Sequence, residues 1–383
     1  MQYFLLPCVE NGRNLYLGLM KKIFLTSLFL LFSSVYFLSS AQIGGKGTYD
    51  FLDVTNPARV AALGGTLISV KDNDLNLAFQ NPALLDSSMH NDLTMSYINY
   101  LAGIHYGYAA YSRTYKNIGS FSAGMQYLDY GNFTAANVDG VITGQFTPGE
   151  YCLNLSYGRN IDSSFSVGGT LKTIYSKLST FTTFGNAIDI GCVYNNTKHL
   201  FSTALVIKNF GTQWKTYGDI HEPLPFEIQW GYSFKLRHAP LRFSENLTHL
   251  EKWDLTYTDP SMQTTDPITG AVIVKKKGAI FVDKLARHDV SSIEILLSKN
   301  FHLRVGYNYE RRQELKLPNT GAGIAGFSFG FGLKISKFNL SYAYARYSVV
   351  GGPNHFTIST NFGEFHSKKK TEPVIQDDSI RKQ

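Results

Sequence analysis

Cysteine is almost missing from this chain: there are three in 383 residues, too few for a disulfide-built scaffold. Charge is thin as well. Asp, Glu, Lys and Arg together make up 17%, against about 25% in an ordinary soluble domain, so part of the surface faces something other than water. Long apolar runs are absent too, apart from Ile23 to Leu38, which is shorter than the roughly 20 residues a membrane-spanning helix needs. No spacing of His, Cys and acidic residues suits a metal, and no cofactor is expected. The net charge of +7 comes with no helix-turn-helix, zinc or aromatic-basic signature, which argues against nucleic acid.

What the chain does hold is Gly, Tyr and Phe, arranged at a period of two. In PFEIQWGYSFKLR the residues Phe226, Ile228, Trp230, Tyr232, Phe234 and Leu236 share one face. Glu227, Gln229, Gly231, Ser233, Lys235 and Arg237 share the other. IAGFSFGFGLKI, KFNLSYAYARY and HLRVGYNYE repeat the pattern. Alternation over about ten residues, with aromatics toward the segment ends, fits a strand crossing a membrane. A soluble β-sandwich also alternates, but with shorter strands and more charge on the exposed face. Here the apolar faces stay uncharged through their middles, where a Lys or Arg beside lipid would cost about 2–4 kcal/mol.

The expected fold is therefore all-β: a transmembrane antiparallel barrel of about 14 strands with an N-terminal hatch in its lumen. Brief turns at Tyr115 to Asn117, Asn160 to Asp162, Asn195 to Lys198, His238 to Pro240, Lys299 to Asn300 and Ser336 to Lys337 alternate with longer loops. The latter are Gly131 to Gly149, Leu178 to Phe184, Gly211 to Glu222, Asp259 to Asp289 and Arg311 to Ala322. Outer-membrane barrels sort their connections in this way, with both termini periplasmic. Ahead of the strands, Met20-Lys21-Lys22, the apolar run and Ser39-Ser40-Ala41 read as a secretory signal. Residues 1–19 read as an over-extended start, 20–41 as the signal, 42–90 as the hatch, 91–365 as the barrel and 366–383 as a charged periplasmic tail. Cys152 falls on a polar face and Cys192 on an apolar one, so the two thiols stand on opposite sides of the wall and stay free.

The stretch NPARVAALGGTLISVKDNDLNLAFQNPALL, residues 56–85, has no steady period but is too apolar for a linker. Gly64-Gly65 permits positive φ and close backbone approach, and each Asn-Pro step forces an extended or turn geometry. Asp72, Asn73 and Asp74 are expected to meet inward basic groups such as Arg304, Lys235 or Lys334. A segment of this kind ahead of the first strand serves as a plug, because a lumen of this width cannot be filled by wall side chains alone.

The ARxxALGG core (Ala58, Arg59, Ala62, Leu63, Gly64, Gly65) and the downstream Asn81-Pro82-Ala83 resemble the fatty-acid-transporter (FadL-like) superfamily of outer-membrane barrels. GGKGTYDFLDVTNPARVAALGG, DNDLNLAFQNPALL and the ending NHFTISTNFGEF resemble its PorV/PorQ group, in the type IX secretion system of Bacteroidota, over essentially the whole chain after the signal. The tail departs from the usual barrel ending on a terminal aromatic, with Phe362 and Phe365 left to serve. The resemblance implies a non-enzymatic anchor in outer-membrane lipid that holds a surface-exposed PorZ-like protein beside PorU/PorV-like components. A transporter of hydrophobic compounds is the alternative within the same superfamily.

Four other features bear on function. Gly326-Phe327-Ser328-Phe329-Gly330 matches GxSxG but lies mid-strand, not on the sharp strand-to-helix turn of a nucleophile elbow. His105 is a candidate lumen acid or base without a recognisable triad. The lumen charges Lys172, Asp189, Glu227, Lys235, Glu294, Arg304 and Glu310 read either as a substrate path or as groups paired with one another and the hatch. Lys275-Lys276-Lys277, in the longest loop, is a partner-binding edge, a site for anionic surface polysaccharide, or a solvated charge run.

Overall fold

Period-two alternation leaves each strand with one apolar and one polar face, and closure lets the apolar faces turn outward together without leaving an edge. The computed structural model describes residues 47–100, 103–218, 220–256, 277–315, 323–346 and 351–366. Its strands are β1 (Asp92–Asn99), β2 (His105–Tyr115), β3 (Gly119–Asp129), β4 (Phe133–Ala136), β5 (Ile142–Phe146), β6 (Gly149–Asn160), β7 (Phe165–Leu178) and β8 (Phe181–Asn196). They continue as β9 (Phe201–Lys215), β10 (Glu227–Lys235), β11 (Leu241–Leu247), β12 (Asp289–Ile295), β13 (Phe301–Asn308), β14 (Phe327–Ile335), β15 (Phe338–Ala345) and β16 (Asn354–Asn361).

Fourteen of these form one closed antiparallel barrel, sealed by β1 pairing with both β2 and β16, while β4 and β5 make a separate hairpin in the loop between β3 and β6. The fold class and strand number expected from the sequence are those observed. The wall is inside-out relative to a soluble protein. Met95, Met125, Leu153, Leu155 and Ile188 are exposed on the outside, and Ile190 is 56% exposed, whereas the inward Ser96, Gln126, Asn154 and Thr170 are buried. Aromatic rings ring both ends, as interfacial girdles do. Tyr127, Tyr151 and Tyr175 stack in one row across β3, β6 and β7, and Phe121–Tyr157 and Phe165–Tyr194 pair near the other end. Cys152 is buried inward, Cys192 is half-buried on the outward parity, and both are free.

Connections sort by end. Turns at one end are short, the longest being the five-residue connections 236–240 and 296–300, and this end also carries the start of β1 and the finish of β16. The other end carries 130–148, 216–226, 248–288 and 309–326. Two expectations need correction. The connection between β7 and β8 is a two-residue turn at 179–180, with Ser179 at φ 58°. β-branched Thr182 and Thr183 beside Phe181 and Phe184 prolong the strand instead of opening a loop. At the end of β13, Asn308 turns the chain into a helix over Tyr309–Glu314, its Oδ1 accepting from Arg311 N at 2.9 Å. Glu310 is thus on that helix and not on a strand face. Another helix, Lys277–Arg287, lies within the longest loop.

Residues 47–91 run inside the barrel. The helix Ala58–Ala62 packs against β13, β14, β15 and β16, and the 3-10 turn Pro82–Leu84 packs against β6, β7 and β8. Those two groups of strands face each other across the ring, so the segment bridges the lumen. Leu63, Leu67, Ile68, Leu77, Leu84 and Leu85 are fully buried there.

Candidate functional site

The functional geometry of this molecule is the seating of the inner segment in the wall. Its first seat is built on ALGG. The helix Ala58–Ala62 stops in a Schellman arrangement: Gly65 N donates to Val60 O and Gly64 N to Ala61 O, with φ of 93° at Gly64 and 104° at Gly65. The turn presses on the wall where a side chain would collide. A Cβ on Gly306 of β13 would lie 2.1 Å from Gly64 N, and one on Gly330 of β14 would lie 2.6 Å from the Ala62 methyl. Between them Ser328 closes the seat, its Oγ accepting from Gly64 N at 3.0 Å and donating to Ala62 O at 3.2 Å.

The second seat is built on Asn81-Pro82-Ala83. Asn81 Oδ1 accepts from Ala83 N and its Nδ2 donates to Ile68 O, while Pro82 occupies the first helical position. Under it, Gly158, Gly168 and Gly191 stand opposite one another on β6, β7 and β8. A Cβ on Gly168 would come within 2.3 Å of the Pro82 backbone, and one on Gly191 within 2.0 Å of Asn81 Oδ1. These wall glycines are a groove that admits a backbone.

Arg59 ties the segment to the remaining wall. Its guanidinium meets Asp72 at 2.8 Å, Asp74 at 3.0 Å and Glu294 of β12 at 3.0 Å. Glu294, only 2% exposed, also binds Arg242 of β11 at 2.8 Å and Arg304 of β13 at 3.1 Å. Arg242 reaches Asp72 at 3.2 Å, and Arg304 Nη1 donates to Ser341 Oγ. Three carboxylates thus balance three guanidiniums, which is the condition under which buried charge is tolerated. The acidic triplet does meet basic groups, but they are Arg59 of its own segment and Arg242. Arg304 is engaged by Glu294, Lys235 is exposed at the end of β10, and Lys334 pairs with Glu364 at 3.7 Å.

A smaller tie lies across the lumen. Lys172 binds Asp189 at 2.7 Å and donates to Asn209 Oδ1. Asn209, at φ 56° in an irregular stretch of β9, donates to Asp53 Oδ1 at 3.1 Å.

Two cavities with no lining residue in common flank the inner segment, and members of the Arg59 lattice line only the larger. The one at the short-turn end measures about 660 Å³ and is faced by Asp72, Asp92, Arg242, His302, Arg304 and Lys334. At the long-loop end the other measures about 180 Å³, between Gly64–Thr66, Glu227, Gln229, His249 and Glu310. Charged and amide groups dominate both.

The remaining candidates do not assemble a reaction centre. Ser328 is fully buried with its hydroxyl engaged by the ALGG turn. His105 points outward and not into the lumen, its Nδ1 2.8 Å from Tyr97 OH, because Tyr106 and Tyr108 take the inward positions, Tyr106 OH donating to Phe51 O and Gln126 Oε1. Lys275 and Lys276 lie outside the described residues, as do residues 1–46 and 367–383, while Lys277 opens the loop helix. The wall glycines and Arg242 were not singled out from sequence. The signal available for them was Gly recurring on inward parity, at Gly168, Gly191, Gly306 and Gly330.

No family model matches the chain, and no curated protein matches it. Among solved structures it is similar to the toluene transporter TbuX of Ralstonia pickettii, with 12% identity and a TM-score of 0.45 over 82% of this chain and 100% of that one. It is also similar to the toluene transporter TodX of Pseudomonas putida, with 12% identity and a TM-score of 0.45 over 79% and 96% of the two chains. A Pseudomonas aeruginosa FadL homologue follows at 11% identity and 0.41, over 80% and 98%. At TM-scores below 0.5 the cargo of those proteins does not pass to this chain. Its own geometry makes it a closed fourteen-strand β-barrel of the outer-membrane type.

Proposed function

We propose that the protein is a non-enzymatic outer-membrane barrel that anchors surface components of a type IX secretion system, with its lumen plugged and its long loops outside the cell. The observation that carries the plugged, non-conducting part is the Arg59 lattice: buried charged groups from plug and wall meet inside the barrel beside the larger cavity, and both cavities are polar. An apolar solute on that route would have to strip charged groups of their partners, at several kcal/mol. The anchoring part draws on the sequence resemblance, and its contacts belong on the loops of the long-loop end, with Lys275-Lys276-Lys277 a candidate contact for a protein partner or for anionic polysaccharide.

The test is to tag the protein at its C-terminus in its native host, extract outer membranes gently and identify what co-purifies. A large surface-exposed protein recovered with other secretion components is the expected result, and a barrel recovered alone contradicts it.

The second reading, a transporter of hydrophobic compounds, is the one favoured by the names of the similar structures, two of which are toluene transporters. It requires that proteoliposomes holding the purified chain accumulate labelled toluene faster than empty ones. Under the anchoring proposal the two rates are equal.

A further inference from the structure

The cavity at the long-loop end differs from its counterpart in charge. Asp53, Glu227, Glu310 and Glu314 border it, together with Lys208, His249 and Arg311. Glu251 adds a fifth carboxylate just outside, held by His249 Nδ1 at 3.3 Å and by Ile228 N at 2.9 Å. Five acids against three bases leave an anionic excess where the Arg59 lattice has none.

A second observation is independent of that excess. Gln229 lies on the inward face of β10, is 2% exposed and lines the same cavity, yet its Oε1 has no hydrogen-bond partner. A buried amide oxygen without a donor is destabilising, so the site favours a hydrogen-bond donor as well as positive charge. Among the described residues no three His, Cys, Asp or Glu side chains are grouped to hold a metal ion. A ligand suited to this lining donates hydrogen bonds and carries positive charge together.

We infer that this cavity is a seat for an alkylammonium or guanidinium group, received by Gln229 Oε1 and the Glu227 and Glu310 carboxylates where plug, wall and the helix Tyr309–Glu314 meet. Its volume of about 180 Å³ suits the end of a Lys or Arg side chain or a small polyamine. Burial, with Glu314 and Glu227 adding to it and His249 and Arg287 opposing, pushes the Glu310 carboxyl up to about 7. His249 resists its own burial because Glu227, Glu251 and Glu310 hold its charged form, to about 10. The Asp53 carboxyl, bordering the same cavity, is raised to about 7 by burial and by Glu227, against Lys208, His249 and Lys172. The Asp53 and Glu310 carboxyls are therefore mostly neutral at pH 6 and mostly charged at pH 8, and the seat holds a cation better at the higher pH.

The experiment is calorimetric titration of the detergent-purified full chain at pH 8 with two probes, agmatine and the peptide acetyl-Gly-Arg-Gly-amide. Saturable binding is expected, weakened at least about tenfold in Gln229→Leu and in Glu227→Gln, and weakened in the wild type at pH 6. Both variants must keep the wild-type heat-modifiable mobility on gels, which separates a lost seat from a lost fold. Binding of agmatine alone assigns the seat to a free cation, and equal or tighter binding of the peptide assigns it to a basic side chain of a polypeptide. No saturable binding of either probe, or binding that survives both substitutions in folded protein, overturns the inference. None of these outcomes depends on the anchoring reading.

Discussion

The inner segment is held differently on its two sides. Against β11 and β12 it is held by charge, through Arg59 and Asp72 meeting Glu294 and Arg242. Against β6, β7 and β8 it is held by shape, with the Pro82 and Leu85 backbone lying on Gly158 and Gly168 and the Asn81 side chain on Gly191. A charge lattice fails when one member is removed, because its partners stay buried and unpaired. A glycine groove fails in the opposite way, when something is added, because packed interiors have no room to absorb it.

The contrast predicts an order of effects. Arg59→Ala leaves Glu294 and Asp72 short of a partner and should be the most damaging, at about 3–5 kcal/mol, read as a lowered urea midpoint in detergent. Gly191→Val should cost about 1–3 kcal/mol through overpacking and expel Asn81 from its groove. A cysteine placed at Ala83 should then become accessible to a soluble maleimide that does not reach it in the parent. Ser328→Ala removes one of the two acceptors of buried Gly64 N, the other being Ala61 O, together with the donor to Ala62 O, and should cost about 0.5–1.5 kcal/mol in the same assay. Full activity or phenotype of that variant, with only stability changed, would also agree with a hydroxyl that fastens a turn. Lys71→Ala, which deletes hydrogen bonds to Asn160 and Ser166 at the half-exposed edge of the segment, should cost no more than about 1 kcal/mol. Equal effects from Arg59→Ala and Lys71→Ala would break the comparison.

The wall was far more legible in the sequence than the segment it encloses. Strands such as Glu227–Lys235 and Phe327–Ile335 announce themselves because lipid outside and a polar lumen inside impose strict alternation. Where both faces carried aromatics, as in HYGYAAY, parity was ambiguous, and His105 was assigned to the wrong side. The turn at 179–180 was hidden because Ser and Thr read as loop residues while Thr also extends strands. At Glu310 the alternation of NYE ran on past the Asn308 cap that ends the strand.

Inside, ALGG and Asn81-Pro82-Ala83 were visible as motifs, but their seats were not. The partner of Asp72 on the wall, Arg242, is 170 residues away in the chain, and neither period nor spacing relates two residues so distant. The glycine groove likewise exists only once β6, β7 and β8 are in register, since Gly158, Gly168 and Gly191 belong to three separate strands.

The most direct test of a lumen closed by a latched plug is conductance. The purified protein is reconstituted into a planar bilayer at neutral pH and low protein density, and compared with Arg59→Ala. A silent wild type, with stepwise channel openings in the variant, is the expected result. Steady openings in the wild type, equal in size and frequency to those of Arg59→Ala, would contradict it.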